Sequence, residues 1–213
     1  MEALQKFLNK YTYHSFKKGE TILLKGERPD AVHVIESGLV KTYGITVDRC
    51  ERLVSIDCKH EDFPIGFTLG LTQKAQYFHE AFTSCMVRMV PRADYADYLN
   101  QNAESMYARQ VRVTSLLLST LSRVEALEQP TAGGKIAHTL LYMASRVGVV
   151  LRPYNTQLKI AITQQEIANA LGISRETTNT ELKKLERMNL VSHSRKSYIL
   201  QLDELRAYVN SWS

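Results

Sequence analysis

Thr163 stands three residues before Glu166, the spacing at which a hydroxyl and a carboxylate each satisfy a free N–H at the start of a helix. The helix they open buries Ile167, Ala168 and Leu171, and Gly172 supplies the left-handed residue that ends it. One short turn later Ser174 is a good N-cap for a second helix, with Leu182 and Leu185 on its inner side. Small Ala168 permits the close crossing that a helix-turn-helix requires. The outer side of the second helix carries Arg175, Glu176, Asn179, Thr180 and Lys183 at helical spacing. Such a helix lies in the major groove of DNA, where an arginine forks onto guanine and a glutamate accepts from cytosine N4. Arg175, Glu176, Asn179 and Thr180 are therefore expected to read bases. Gln164, Gln165, Ser174, Thr177 and Lys183 are expected at phosphates, which helix N-termini also attract. An amphipathic pair with a merely solvated polar face is the weaker reading, because cap, turn, small crossing residue and charge segregation coincide here.

Leu190–Leu200 follows as two short apolar runs around a polar tip, the pattern of a β-hairpin wing. Arg195 and Lys196 at the tip are expected to approach phosphates. The alternative is an ordinary surface hairpin. Charge supports the nucleic-acid reading. The chain carries 27 Lys+Arg against 22 Asp+Glu, and residues 130–213 hold 11 of the former and 6 of the latter. The whole excess of +5 thus sits in the segment with the helix pair, so that end is the one suited to a polyanion.

The elements that must position this segment change character along the chain. Residues 12–90 read as short strands, Thr21–Leu24, Val32–Ile35, Leu39–Tyr43, Arg52–Ile56 and Met86–Val90, separated by Gly-containing turns, which predicts a β-sandwich or small barrel. From Leu99 the period becomes helical. Leu99, Ala103, Met106, Gln110, Val113, Leu117, Thr120, Val124 and Leu127 alternate steps of four and three, a heptad seam along one helix. Its length favours a partner helix over packing on its own β-domain, with Gln110 and Thr120 fixing register. Pro130–Gly134 is expected to break that helix, and a short helix through Ile136, Leu140, Leu141 and Ala144 to follow, then a polar stretch around 152–156.

Gln165-Glu166-Ile167, Gly172-Ile173-Ser174-Arg175-Glu176-Thr177 and Leu182-Lys183-Lys184-Leu185-Glu186 resemble the matching segments of the cyclic-AMP receptor protein/FNR (Crp/Fnr) family of bacterial transcription regulators. The order of elements is similar across nearly the whole chain, and Gly19, Gly26 and Gly38 fall at the family's turn positions. The resemblance implies an α+β chain. A double-stranded β-helix (a cyclic-nucleotide-binding-like β-roll) would span residues 1–92, a dimerisation helix 93–129 and a winged helix-turn-helix 130–213. It implies a homodimer on a pseudo-palindromic operator in double-stranded DNA, with Arg175 and Glu176 reading bases and RNA polymerase as a further partner. One departure matters: Thr180 stands where the family commonly has a second base-reading arginine, so the family's target sequence does not transfer.

Cyclic-nucleotide-binding relatives hold the phosphate with a Gly-Glu pair and a later arginine. Here Phe67 follows Gly66, and Tyr77-Phe78 stands where the arginine is expected, with Lys74 the nearby cation. Without a guanidinium fork a buried cyclic phosphate lacks its charge-assisted bonds, which costs several kcal/mol by order of magnitude. A cyclic nucleotide is not expected, and the effector, a less polar ligand or none, stays open. Cys50, Cys58 and Cys85 fall short of the four thiolates of an iron–sulfur cluster. His79 or Cys58 as a haem ligand is weaker than a packing role. A cupin-like metalloenzyme is the rival class, but His14, His33, His60 and His79 never form H-x-H spacing, so neither a catalytic set nor a metal site is expected. A sensor or protein-interaction module is the second rival, opposed by Arg175 and the basic tip. An odd cysteine count without C-x-x-C, no secretory signal at the start and no apolar run of about 18 residues predict a cytoplasmic protein without a membrane partner.

Overall fold

The run Val32–Ile35 lacks the in–out alternation of a half-exposed strand, and the computed structural model explains why. It describes residues 2–47, 49–152, 155–158, 162–194 and 197–210. On one face of strand β3 (Val32–Ser37), Val32 and Val34 pack with Leu4 and Leu8 of helix α1 (Glu2–Leu8) and with Tyr95 and Leu99 of helix α3 (Arg92–Gln101). On its other face Ile35 packs with Val40, Phe63, Ala81 and Val87. A strand covered on both sides needs apolar residues at successive positions.

Two four-stranded sheets enclose the second cluster. One has the order β1 (Tyr13–Phe16), β8 (Cys85–Val90), β3, β6 (Asp62–Phe63). The other runs β2 (Thr21–Leu23), β7 (Phe78–Ala81), β4 (Val40–Ile45), β5 (Glu51–Asp57). This is the β-roll that the strand pattern and the resemblance led us to expect. The turn between β3 and β4 requires glycine twice over. Gly38 has φ +82°, and a Cβ there would lie 2.3 Å from the Ser84 carbonyl oxygen. Helix α2 (Ile65–Thr68) follows β6, and Phe67 turns into the cluster of Val32 and Tyr95, with the Arg92 guanidinium 5.4 Å from its ring centre.

The helical stretch departs from the expected continuous seam. α3 ends at Gln101, Asn102 is extended (φ −131°, ψ 92°), and α4 (Ala103–Glu128) begins anew. Asn102 Oδ1 accepts a hydrogen bond from Ser105 N at 2.9 Å, so Asn102 caps α4 and the seam cannot include Leu99, which is buried in the first core cluster. Burial follows the seam only in part. Arg109, Arg123 and Ala126 of α4 are buried, and Val113 and Thr120 of the expected seam are half-buried. Ala103, Met106, Gln110, Leu117, Val124 and Leu127 of that seam are exposed, and Leu118 and Leu121 are exposed beside them, so that Leu117, Leu118, Leu121, Val124 and Leu127 form an apolar row 42–62% exposed.

The chain divides into two units, 1–44 with 54–116 and 45–53 with 117–213. In the first, Arg109 forks onto Asp62, with Nε 2.9 Å from Oδ1 and the second nitrogen 2.7 Å from Oδ2, and both side chains are at most 5% exposed. In the second, Arg123 donates to the carbonyls of Leu53 (3.0 Å) and Ala170 (3.1 Å) and lies over the Tyr142 ring.

That second unit continues with α5 (Ala132–Val147), β9 (Gly148–Arg152), β10 (Asn155–Leu158), α6 (Gln164–Leu171), α7 (Arg175–Arg187), β11 (Val191–Ser194), β12 (Ser197–Gln201) and α8 (Leu202–Asn210). Its antiparallel sheet has the order β11-β12-β10-β9. The expected break at Pro130–Gly134 is shorter than the sequence implies. Thr131 caps α5 by accepting from Gly134 N at 3.0 Å, so both glycines lie in the first turn of a 16-residue helix. A Cβ on Gly133 would meet Tyr208 Oη at 2.8 Å and Glu181 Oε2 at 3.0 Å, so the glycine is there for close packing. The polar stretch around 152 belongs to the hairpin β9–β10.

Inside the roll, His33 stacks on Phe63 and Phe63 on His79, with centroids 5.1 and 4.9 Å apart. The Thr42 hydroxyl donates to Asp57 Oδ2 at 2.7 Å, which commits its one proton, so His79 Nδ1, 2.9 Å away, donates to Thr42. Burial holds His33 down to about 4 and His79 to about 3. In the unfolded chain these groups protonate near 6.5, so below that pH the unfolded state binds protons the native state refuses. Stability is therefore fully held above pH 7. It falls by about 1.4 kcal/mol per pH unit for each histidine as pH drops from 6.5 towards 4. His60 and His138, also lowered by burial, add in the same direction. Urea midpoints at pH 7 and pH 5 measure the slope, and His79→Gln reduces it; equal midpoints would contradict the buried neutral pair.

Candidate nucleic-acid interface

The first helix of the pair starts as its sequence prescribes. Thr163 Oγ1 accepts from Glu166 N at 3.1 Å, and Glu166 Oε2 accepts from Thr163 N at 2.6 Å. Ile167, Ala168 and Leu171 of α6 are buried. Gly172 takes the left-handed conformation (φ 69°, ψ 30°), and Ile173 N reaches back to Ala168 O at 3.1 Å, closing the end of the helix. Ser174 Oγ then accepts from Thr177 N at 2.9 Å and opens α7. Leu182 and Leu185 are buried as expected. So is Thr178, whose hydroxyl donates to Ser174 O at 3.0 Å; its polar type hid this from the sequence pattern.

The opposite side of α7 is open. Arg175, Glu176, Thr180 and Lys183 are exposed, and none makes a hydrogen bond or ion pair among the described residues. Unpaired charges beside a helix N-terminus form a surface that can donate forked bonds, accept from an exocyclic amine and attract an anion. Asn179 is half-buried and accepts from Gln164 Nε2 at 3.3 Å. Gln165 is exposed, its amide turned to Asn169 Oδ1 at 2.8 Å. The hydroxyls of Ser174 and Thr177 bond each other at 2.8 Å, so both are held by the cap as well as placed at the helix start. The structure thus brings Gln164 and Asn179 together across the turn, a pairing that spans 15 residues and leaves no periodic trace in the sequence.

The expected wing is the hairpin β11–β12, in register from Val191 opposite Leu200 to Ser194 opposite Ser197. Its tip residues Arg195 and Lys196 lie outside the described residues. His193 stacks on Tyr198 and pairs with Glu186 of α7, which ties the hairpin to the helix. Burial, Glu186 and Glu166 push the Tyr198 hydroxyl up to about 12, so it stays neutral and packs. Basic Lys184 and Arg187 are also exposed at the end of α7, Lys184 in an ion pair with Glu181 at 2.6 Å.

At the roll, Phe67 is buried and Tyr77 and Lys74 are exposed, while Phe78 stacks on Tyr43 with centroids 5.3 Å apart. His79 is the packing residue the sequence favoured. Cys50, Cys58 and Cys85 are free thiols, and burial pushes Cys85 up to about 11. Among the described residues no three His, Cys, Asp or Glu side chains gather as metal ligands, and no helix is long and apolar enough to cross a membrane.

Comparison with known proteins agrees with both halves of this description. Residues 13–102 match the cyclic nucleotide-binding domain family, and residues 134–208 match the Crp-like helix-turn-helix domain family. The cAMP-activated global transcriptional regulator CRP of Salmonella typhimurium is 29% identical over 207 residues, covering 93% of each chain. The cAMP-activated global transcriptional regulator Vfr of Pseudomonas aeruginosa is 27% identical over 204 residues, covering 94% of each. Among solved structures, FixK2 of Bradyrhizobium japonicum superposes with a TM-score of 0.75 at 18% identity, over 92% of this chain and 96% of its own. A CRP/FNR-family transcriptional regulator of Thermus thermophilus gives 0.66 at 23% identity, over 95% of this chain and all of its own. The β-roll, the long helix, the capped helix pair and these matches lead to one conclusion: the chain belongs to the Crp/Fnr family of DNA-binding transcription regulators.

Proposed function

We infer that α7 is the recognition helix and that the protein binds a pseudo-palindromic operator as a homodimer without a cyclic nucleotide. The observation that carries the first part is the open face of α7, with Arg175 and Glu176 at the helix start and Thr180 and Lys183 further along, all exposed and without a hydrogen bond or ion pair among the described residues. Arg175, Glu176, Asn179 and Thr180 face bases in this reading. Ser174, Thr177, Gln165 and Lys183 lie along the phosphate strand, with Gln164 beside them and Arg195 and Lys196 of the wing beyond.

The stripe Leu117, Leu118, Leu121, Val124 and Leu127 supports the homodimer. Five large apolar side chains exposed along one helix face mark an interface, and the equivalent stripe of a second copy is complementary to it. RNA polymerase is the further partner that family membership suggests, and the cytoplasm the compartment where both it and DNA are met.

The relatives from Salmonella and Pseudomonas are named as cAMP-activated. Three features oppose carrying that property over. Phe67 replaces the phosphate-holding carboxylate position and turns into a hydrophobic cluster, no arginine stands at Tyr77-Phe78, and His33, Phe63 and His79 stack in the roll interior. Calorimetry with cyclic AMP or cyclic GMP at millimolar concentration should show no saturable heat; binding in the micromolar range would overturn this part.

Binding isotherms on a selected operator and a scrambled duplex test the groove reading. Arg175→Ala should cost about 1–3 kcal/mol on the operator and relax preference at one base pair. Lys183→Ala should weaken both duplexes alike and lower the salt slope by about one unit. Equal loss on both duplexes for Arg175→Ala would make α7 an electrostatic anchor instead.

A further inference from the structure

Asn179 differs from Arg175, Glu176, Thr180 and Lys183 on the outer face of α7, because among the described residues it has a side-chain partner and they have none. Its Oδ1 accepts from Gln164 Nε2 at 3.3 Å, and it is half-buried where Arg175, Glu176 and Thr180 are exposed. Gln164 is the first residue of α6, held in place by the Thr163–Glu166 cap, so the donor comes from a fixed position. A side-chain amide carries its oxygen and its nitrogen on one carbon. A bond that holds the oxygen towards α6 turns the nitrogen, with two N–H groups, away from it. The paired contact of asparagine with adenine needs the oxygen beside N6 as well as the nitrogen beside N7.

We propose that Gln164 orients Asn179 as a hydrogen-bond donor to the major groove, so that the base facing Asn179 is one that presents an acceptor and cytosine is rejected. Guanine offers O6 and N7 and thymine offers O4, all acceptors. Adenine offers N7 alone and lacks the second half of its paired contact, while cytosine presents only its N4 amine, and a donor facing a donor leaves both unpaired. Gln164 is in this account a positioning residue, rather than only the phosphate contact its place at a helix start suggests. The proposal rests on the groove-reading assignment of α7 made above.

Selection from a randomised duplex library, followed by isotherms on operators varied one base pair at a time, tests it with the full-length chain. For the wild type one position should disfavour cytosine by about five- to tenfold against guanine or thymine, the size of one net hydrogen bond, without a preference for adenine. Asn179→Ala should flatten that position alone. Gln164→Ala should favour adenine there, with its preference ratio moving at least threefold, while the ratios at the other positions are unchanged. Gln164→Glu, which keeps length but cannot donate from a carboxylate, should shift the ratio at that position in the same direction, on top of the uniform loss its added charge brings. A uniform loss of affinity on all sequences for Gln164→Ala, or an adenine preference in the wild type, would overturn the proposal. Arg175→Ala in the same assay keeps the two levels apart. If it relaxes its own base pair while the Gln164 variants change nothing, only the positioning role fails. If it weakens every sequence equally, the groove reading fails first.

Discussion

The fork between Arg109 and Asp62 is buried on both sides, and it holds the first half of α4 against the roll. A guanidinium and a carboxylate out of water are tolerated only in good geometry, and losing one partner of such a pair costs about 3–5 kcal/mol. Tyr95 adds a third contact, its hydroxyl 3.4 Å from Asp62 Oδ1, and the same charge and burial raise the tyrosine's own titration. The fork admits one rotation of α4 about its axis. In the second unit Arg123 of α4 is buried, held by two carbonyls and the Tyr142 ring. Leu117, Leu118, Leu121, Val124 and Leu127 lie exposed on the same helix. On the proposed homodimer, that apolar row is where a second copy would pack.

The same logic of fixed backbone and free side chains governs the helix pair. Four local devices set α7: the Thr163–Glu166 box, the left-handed Gly172, the Ser174 cap and the buried row Thr178, Leu182, Leu185. Each occupies a backbone group or an inward position. None uses Arg175, Glu176, Thr180 or Lys183, which make no hydrogen bond or ion pair among the described residues. Net positive charge concentrated in residues 130–213 draws that molecule as a polyanion before any base is touched.

What the sequence disclosed and what it hid divides by range. The capping box, Gly172 and the cap at Ser174 were legible because each depends on residues three or four apart and on backbone groups any chain possesses. The turn glycines Gly19, Gly26 and Gly38 were legible for the same reason, and all three have positive φ. Asn102 was hidden because a one-residue break preserves the apolar spacing on either side of it, so Leu99 looked like the first step of a seam it does not join. Gly133 read as a helix breaker, since only its approach to Tyr208 and Glu181 shows why a small residue is needed inside a helix. The His33–Phe63–His79 stack and the Gln164–Asn179 bond were hidden too. They join residues from separate strands or helices, and no periodicity encodes such pairs.

If two chains pair along α4 as proposed, their two-fold axis presents two copies of α7 to one face of a duplex. Hydroxyl-radical footprinting of the full-length protein on an operator selected from random duplexes measures this directly. The account predicts two equal patches of protection whose centres lie about one helical turn apart on the same face, with guanine N7 methylation blocked in the major groove between phosphate contacts. A single protected patch, or methylation protection absent from the major groove, would contradict it.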